Sequence, residues 1–309
     1  MSAGPRPADW ALLLAAMGGL AAGWLWPRAG IIIAPYLAWC MAGVLFLAFL
    51  RLDFAALTRV DRASLGGLAT WTTLKLILLP LAAWAVTAIL APRWALAALV
   101  LSGVSAGVTS PFFAGLLGAD MAGALRLVMA SSLLAPLSLP ALVELLAGRH
   151  MSASLTDMAA MLAAVILSPL LLARVCRLLW PRAALAVAAR GLPLNLAIIF
   201  CANAGVMAKY GQYLRGRPLE LLAALGLACL LALAYAGIGL GLGRLSNGRL
   251  DGLTGAAGLA FCNNILALVF AERFFGPLEA LLCAAYTAPY FLVLIPLRLA
   301  AGRAGRSER

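Results

Sequence analysis

The sequence predicts an all-α integral membrane protein of ten transmembrane helices arranged as two inverted five-helix repeats. Three observations predict it. Of the 309 residues, 65% are hydrophobic and 11% charged, with a mean hydropathy of +1.03, whereas soluble domains run near half apolar and a quarter charged. Long apolar runs separated by Pro, Gly and charged breaks recur along the whole chain, and about 28 residues per pass allows on the order of ten of them. The two most polar interruptions of those runs fall at matching places in the two halves of the chain.

The predicted spans are Trp10–Trp26, Gly30–Leu50, Ser64–Leu90, Trp94–Leu117, Ala122–Leu146, Leu155–Leu179, Gly191–Ala208, Leu219–Leu242, Leu253–Phe270 and Leu278–Leu299. They leave no length within the chain for a soluble catalytic or DNA-binding domain. Met1 to Asp9 carry one basic residue, Arg6, and no small-residue cleavage site is followed by polar sequence, so the first run is expected to stay as a helix. Lys and Arg divide unevenly between the two sides. Fourteen (Arg6, Arg51, Arg59, Arg62, Arg174, Arg177, Arg182, Arg190, Arg244, Arg249, Arg298, Arg303, Arg306, Arg309) fall with the termini, and seven (Arg28, Arg93, Arg149, Lys209, Arg215, Arg217, Arg273) on the other side. Cytoplasmic loops retain basic residues, so both termini are expected inside the inner (plasma) membrane. The net charge of +12 is then a topology signal and not the footprint of a nucleic-acid partner.

Ten helices with both ends inside split into halves of opposite orientation, 1–150 and 151–309. In the first, Thr109-Ser110-Pro111 interrupts an apolar run and Ala135-Pro136 follows; in the second, Cys262-Asn263-Asn264 interrupts a run and Ala288-Pro289 follows. Pro111 to Pro136 and Asn264 to Pro289 are both 25 residues. A helix break frees backbone groups that hydrocarbon cannot solvate, so it is tolerated only where protein or a cavity satisfies them. Such breaks in corresponding positions point to a binding site at the midplane. A kink or an unwound stretch is expected near Thr109–Pro111, because Pro111 lacks an N–H and clashes with the preceding turn. Freed helix ends suit an anionic solute at an N-terminus and a cation at a C-terminus. The competing reading is that Thr109, Ser110, Asn263 and Asn264 only join helices by hydrogen bonds.

Lys75 is the most informative single residue. It lies roughly 15 Å of helix from either end of the third span, at 1.5 Å per residue, beyond easy reach of either surface. A charge at that depth is costly and functional by default. No carboxylate lies at comparable depth in another span, which leaves substrate or helix-end carbonyls as its partner. Other polar residues carry less. Asp120 reads as a helix cap, Arg126 and Glu144 as groups near the surface, and His150 as a loop residue. Asn203 either lines a cavity or bonds across helices, and Tyr290 lines the substrate path or anchors at the interface. The six cysteines stand singly in apolar runs, as packing residues. No hydrolytic triad or metal cluster emerges, so neither an enzyme nor a cofactor is expected.

Several motifs, in order, resemble those of the bacterial branch of the bile acid:sodium symporter family. They are Ile33-Ala34-Pro35-Tyr36, Leu79-Pro80 followed by Ala83-Trp84, Ser131-Ser132-Leu133-Leu134-Ala135-Pro136 with Pro140, and Asn263-Asn264. The resemblance implies a panel domain of the first, second, sixth and seventh helices and a core domain of the others. In that core the fourth and ninth helices are unwound and cross at the midplane, and the carrier works by alternating access. It also exposes departures at the family's sodium ligands. The family's Ser-Asn pair is Ser110-Pro111 here, its glutamate before the ninth-helix break is Leu259, and its Gln-Asn pair is Asn263-Asn264. Its fifth-helix threonine falls at Val128 and its third-helix glutamine at Lys75. Hard cations need several oxygen ligands, so these changes argue against sodium and leave Lys75 to stand in for the ion. The expected function is secondary transport of a small organic, anionic solute across the bilayer, with the proton as a candidate coupling ion. The expected substrate-binding residues are Thr109, Ser110, Pro111, Asn263, Asn264, Asn203 and Tyr290. Sodium-coupled symport of bile-acid-like anions, an efflux carrier of the same fold, and a non-transporting sensor remain as alternatives.

Overall fold

Proline starts many of the helices. At the first turn its missing N–H costs nothing and its fixed φ suits the helix. In the computed structural model, α2 (Pro27–Ile33), α10 (Pro181–Arg190), α12 (Pro218–Leu245) and α15 (Pro277–Ala285) all begin this way, and α1 is described over Pro7–Leu25. The structure describes residues 7–50, 62–147, 154–246 and 250–307. Arg6, Arg51, Arg59, Arg149, His150, Arg249 and Arg309, with the junction at 150–151, lie outside the described residues.

The other elements are α3 (Leu37–Leu50), α4 (Arg62–Thr73), a π-helical turn Leu74–Leu78, α5 (Leu79–Leu90), α6 (Ala95–Gly103), α7 (Ser110–Leu116), α8 (Met121–Ala147), α9 (Leu155–Leu179) and α11 (Leu192–Arg215). After α12 come α13 (Gly252–Ala260), α14 (Asn264–Phe274), α16 (Thr287–Leu292) and α17 (Leu294–Ser307). Among the described residues there is no strand, and seven helices are long and apolar enough to cross a membrane. The runs predicted over Trp94–Leu117 and Leu253–Phe270 miss that length for a physical reason. Each is divided into two half-helices, α6 with α7 and α13 with α14. The π turn lies just ahead of Pro80 in a span that reads from sequence as plain helix. It accommodates a residue that cannot donate to the preceding turn.

The chain divides into two compact units. One comprises Met1–Asp53 and Leu162–Leu222, the other Phe54–Met161 and Ala223–Arg309. In the first, α1 lies along α11. Apolar helices in lipid gain nothing from leaving water, so close packing must hold them together. Gly19 and Gly23 permit it: a Cβ at either would collide with the Phe200 or Ala204 carbonyl of α11. The short helix α10 was not expected from the sequence, which reads as loop there. Its buried Ala184 and Ala188 face α3, with Arg182 and Arg190 exposed. In the second unit α5 packs on α6, α14 on α15, and α6 on both α8 and α15.

Candidate functional site

The site is built where the two broken helices of the second unit meet. α6 stops at Gly103 and Val104 turns extended; α13 stops at Ala260, and α14 restarts at Asn264. The two non-helical stretches pair with each other as an antiparallel bridge between Ala106 and Cys262. Gly107 N–H donates to the Phe261 carbonyl at 2.6 Å and Asn263 N–H to the Ser105 carbonyl at 3.0 Å. Ala106 N–H donates to Ser131 Oγ of α8 at 3.0 Å, and the Ser131 hydroxyl in turn donates to the Leu127 carbonyl at 2.6 Å. These bonds satisfy backbone that hydrocarbon could not. Gly107 has to be glycine, since a Cβ there would strike the Phe261 carbonyl.

Of the kink or unwound stretch expected near Thr109–Pro111, the structure has the unwound stretch, lying just ahead of Pro111. The non-helical residues are 104–109, and Pro111 sits in the first turn of α7, where it removes no helix bond. The proline starts the second half-helix and does not bend a continuous one.

Each half-helix that runs into the crossing ends in carbonyls lacking partners within the helix. Two buried side chains reach them. Lys75, fully enclosed in the π turn, donates from Nζ to the Ser102 carbonyl at the end of α6 at 2.9 Å. Tyr286, equally enclosed, donates to the Ala260 carbonyl at the end of α13 at 2.7 Å. Ser102 is also tied through its side chain. Its Oγ donates to the Ala98 carbonyl at 2.5 Å and accepts from the Tyr235 hydroxyl. An ammonium at a helix C-terminus meets about half an elementary charge of opposite sign.

The other half-helix starts carry the polar side chains. Asn263 caps α14, its Oδ1 accepting from Leu266 N–H at 3.3 Å, while its buried Nδ2 has no protein partner. Asn264 Nδ2 donates to Thr287 Oγ1 at 3.0 Å. Ser105 and Ser110 hydroxyls are buried without a protein partner. Thr109 and Tyr290 share a hydrogen bond between their hydroxyls. Below them Phe113 stacks on Phe261 with ring centroids 4.1 Å apart, and Tyr290 meets both edge-on. Thr109, Pro111, Asn264 and Phe291 stay half-buried, so the crossing presents a polar centre with an aromatic floor.

Thr109, Ser110, Pro111, Asn263, Asn264 and Tyr290 are thus gathered around the crossing, and Lys75 stands at the end of α6. Asn203 belongs to the first unit, where its amide donates to the Ile199 carbonyl one turn back at 2.8 Å. Ser102, Tyr235, Tyr286 and Thr287 were not read from the sequence, and Ser131 was read only as the start of a family motif. The signal that was available for Tyr286 and Thr287 is their position directly before Ala288-Pro289. Asp120 does not act as a simple cap: it pairs with Arg126 at 3.2 Å, and its N–H donates to Asp251 Oδ2 at 3.1 Å and to Thr254 Oγ1 at 3.0 Å. Asp251 caps α13 instead, accepting from the N–H groups of Leu253 and Thr254. Burial pushes its carboxyl up, but the hydrogen bonds from Thr254, Asp120 and Leu253 outweigh that and hold it below the usual value.

A family model described as the sodium bile acid symporter family matches residues 31–215, more than half of the chain. The chain belongs to the sodium bile acid symporter family. Comparison with curated proteins finds no match. As a member of the symporter family the protein is a multi-pass membrane transporter of the class that moves small organic anions across the bilayer, and it is not an enzyme. The family match takes in Lys75, the fourth-helix break and Ser131. It stops short of Asn263 and Asn264.

Proposed function

We propose that this member carries a small organic anion by alternating access without sodium, the Lys75 ammonium standing in place of the bound cation. The observation that carries the reading is the 2.9 Å bond from Lys75 Nζ to the Ser102 carbonyl at the end of a broken half-helix. A sodium ion would need several oxygen ligands. At positions where the family resemblance places such ligands, Leu259 and Val128 are apolar and buried, Pro111 lacks a side-chain oxygen, and Lys75 is itself a cation. That donor set does not fit a sodium cage. Thr109, Ser110, Pro111, Asn263, Asn264 and Tyr290 would receive the substrate.

The same reading takes the chain as ten crossings in two inverted repeats, 1–150 and 151–309, with both termini in the cytoplasm of a bacterial inner membrane. It is supported by the two breaks, each following a nine-residue half-helix, and by the excess of basic residues on the side of the termini. The division into two units supports a panel formed by the first, second, sixth and seventh helices, and a core formed by the rest. Sodium-coupled symport is the second reading, and membership of a family described by sodium favours it.

Uptake of a panel of labelled organic anions into proteoliposomes, under inward sodium or potassium gradients, separates the two. Equal uptake in both salts is expected. Accumulation that requires sodium would overturn the proposal.

A further inference from the structure

Arg298 differs from the other basic residues that the sequence assigns to the side of the termini. Arg182 and Arg190 are exposed on α10, Arg126 pairs with Asp120, and Arg177 donates to the Leu50 carbonyl at 3.3 Å. Arg298 is half-buried on α17, beside the buried Leu297. It lies inside the apolar segment Pro277–Gly302, four residues from its end. Two of its guanidinium nitrogens, Nε and Nη2, are buried and have no hydrogen-bond partner among the described residues.

Which two nitrogens are left matters. Nε and Nη2 share one edge of the planar guanidinium, where two N–H bonds point the same way, and that fork matches two oxygens of a single carboxylate or phosphate. A buried donor without an acceptor is costly, more so when it is charged, and arginine cannot shed its proton to escape the cost. The half-helix α13, on which α17 packs, offers no free carboxylate. Its cap, Asp251, already accepts from the N–H groups of Leu253, Thr254 and Asp120, and Asp120 is held by Arg126. Arg298 is also separate from the crossing: it follows Tyr290 by eight residues, about 12 Å of helix at 1.5 Å per residue. We propose that the Arg298 fork is a second anion site, filled by an oxyanion that presents two oxygens, a carboxylate or a phosphate, dissolved or carried on a lipid headgroup. The anion would supply the acceptors that the protein withholds.

Arg298→Lys makes the test specific, because it keeps the charge and removes the fork. Native mass spectrometry of protein released in mild detergent reads a lipid source: wild type should carry one phospholipid that Arg298→Lys loses. Thermal unfolding reads a dissolved source. Potassium acetate or potassium phosphate, replacing potassium chloride at constant ionic strength, should stabilise wild type, and Arg298→Lys should need about tenfold more of either salt for the same shift. Tenfold is the loss expected for one charge-assisted hydrogen bond of about 1.5 kcal/mol. Any anion held at the crossing contributes equally to both proteins and drops out of the comparison. Either pattern supports the site and names its source. Wild type with neither a phospholipid adduct nor a stabilisation by acetate or phosphate over chloride overturns the proposal, whatever the variant does. An adduct or a stabilisation that is unchanged in Arg298→Lys overturns it as well. Should Arg298→Lys fail to fold, Arg298→Gln takes its place with the same expected losses.

Discussion

Replacing Lys75 by Gln or Met tests the fixed cation most directly. A unit charge about 6 Å from an anionic group, at an effective dielectric of about 20, contributes about 2.8 kcal/mol, close to a hundredfold in affinity. Removing it also exposes the anion to the negative end of α6, about half a charge, so the effect on KM adds in the same direction. Stability need not follow. The charged hydrogen bond to Ser102 contributes about 1.5–3 kcal/mol, but taking an ammonium out of water costs several kcal/mol, and the substitution relieves that cost. Both variants should therefore stay folded, with melting close to wild type, while KM for the organic anion that wild type takes up fastest rises by one to two orders of magnitude. The Gln variant supplies an amide oxygen where the family resemblance places one, so it should also gain a stabilisation by sodium over potassium that wild type lacks. Binding at a hundred times its dissociation constant would raise stability by about 2.7 kcal/mol. A KM within threefold of wild type in both folded variants would refute the reasoning, as would a sodium-specific stabilisation of wild type.

Further expectations concern the neighbours of that bond. Tyr286→Phe removes the donor to the Ala260 carbonyl and should lower stability by about 1–3 kcal/mol, because the carbonyl is left buried and unpaired; thermal unfolding in detergent measures it. Gly107→Ala drives a Cβ against the Phe261 carbonyl, which should separate the two breaks, cost about 1–3 kcal/mol and abolish uptake in proteoliposomes. Ser131→Ala strips the acceptor from Ala106 N–H and should destabilise by about 1–3 kcal/mol, whereas Ser131→Thr keeps the hydroxyl and should retain transport. Asp251, held below the ordinary aspartate value, should add stability that is complete above about pH 3.9. That stability is lost as pH falls through its lower folded value, so melting curves of Asp251→Asn should lack this acid limb.

Much of the membrane architecture was legible because hydrocarbon imposes one rule on every residue of a span. The long runs appear as helices at nearly the expected bounds, and the polar interruptions at Thr109–Pro111 and Cys262–Asn264 do mark the ends of half-helices. Local placement was less legible. From its chemistry Pro111 reads as the mark of a kink or of an unwound stretch, and only the extended backbone before it decides for the second, with the proline in the first turn of the next half-helix. Ser102, Tyr235 and Tyr286 were invisible for a different reason. A single hydroxyl in an apolar helix carries no periodic signal, and its meaning lies in a carbonyl that tertiary packing brings from elsewhere: Tyr235 reaches Ser102 across 133 residues of chain. α10 escaped because a short alanine-rich run framed by Arg182 and Arg190 resembles a basic loop until Ala184 and Ala188 are seen to share one buried face.

A cation that belongs to the chain changes what the transport cycle can do. A bound ion couples to substrate because it can leave on the far side, and its gradient then sets the direction of flux. On the proposed reading an ammonium on Lys75 cannot leave, so while protonated it would neutralise the end of α6 in either facing and bias neither by mass action. A carrier built this way equilibrates its anion or exchanges one anion for another. It becomes concentrative only if Lys75 gives up its proton in one facing and regains it in the other. The two cases separate cleanly in a vesicle with a pH step and no sodium. Uptake above equilibrium that follows the step, and is lost in Lys75→Gln, identifies the proton as the coupled ion. Uptake that stops at equilibrium, yet is accelerated by unlabelled anion on the opposite side, identifies an exchanger in which Lys75 is a fixed counter-charge.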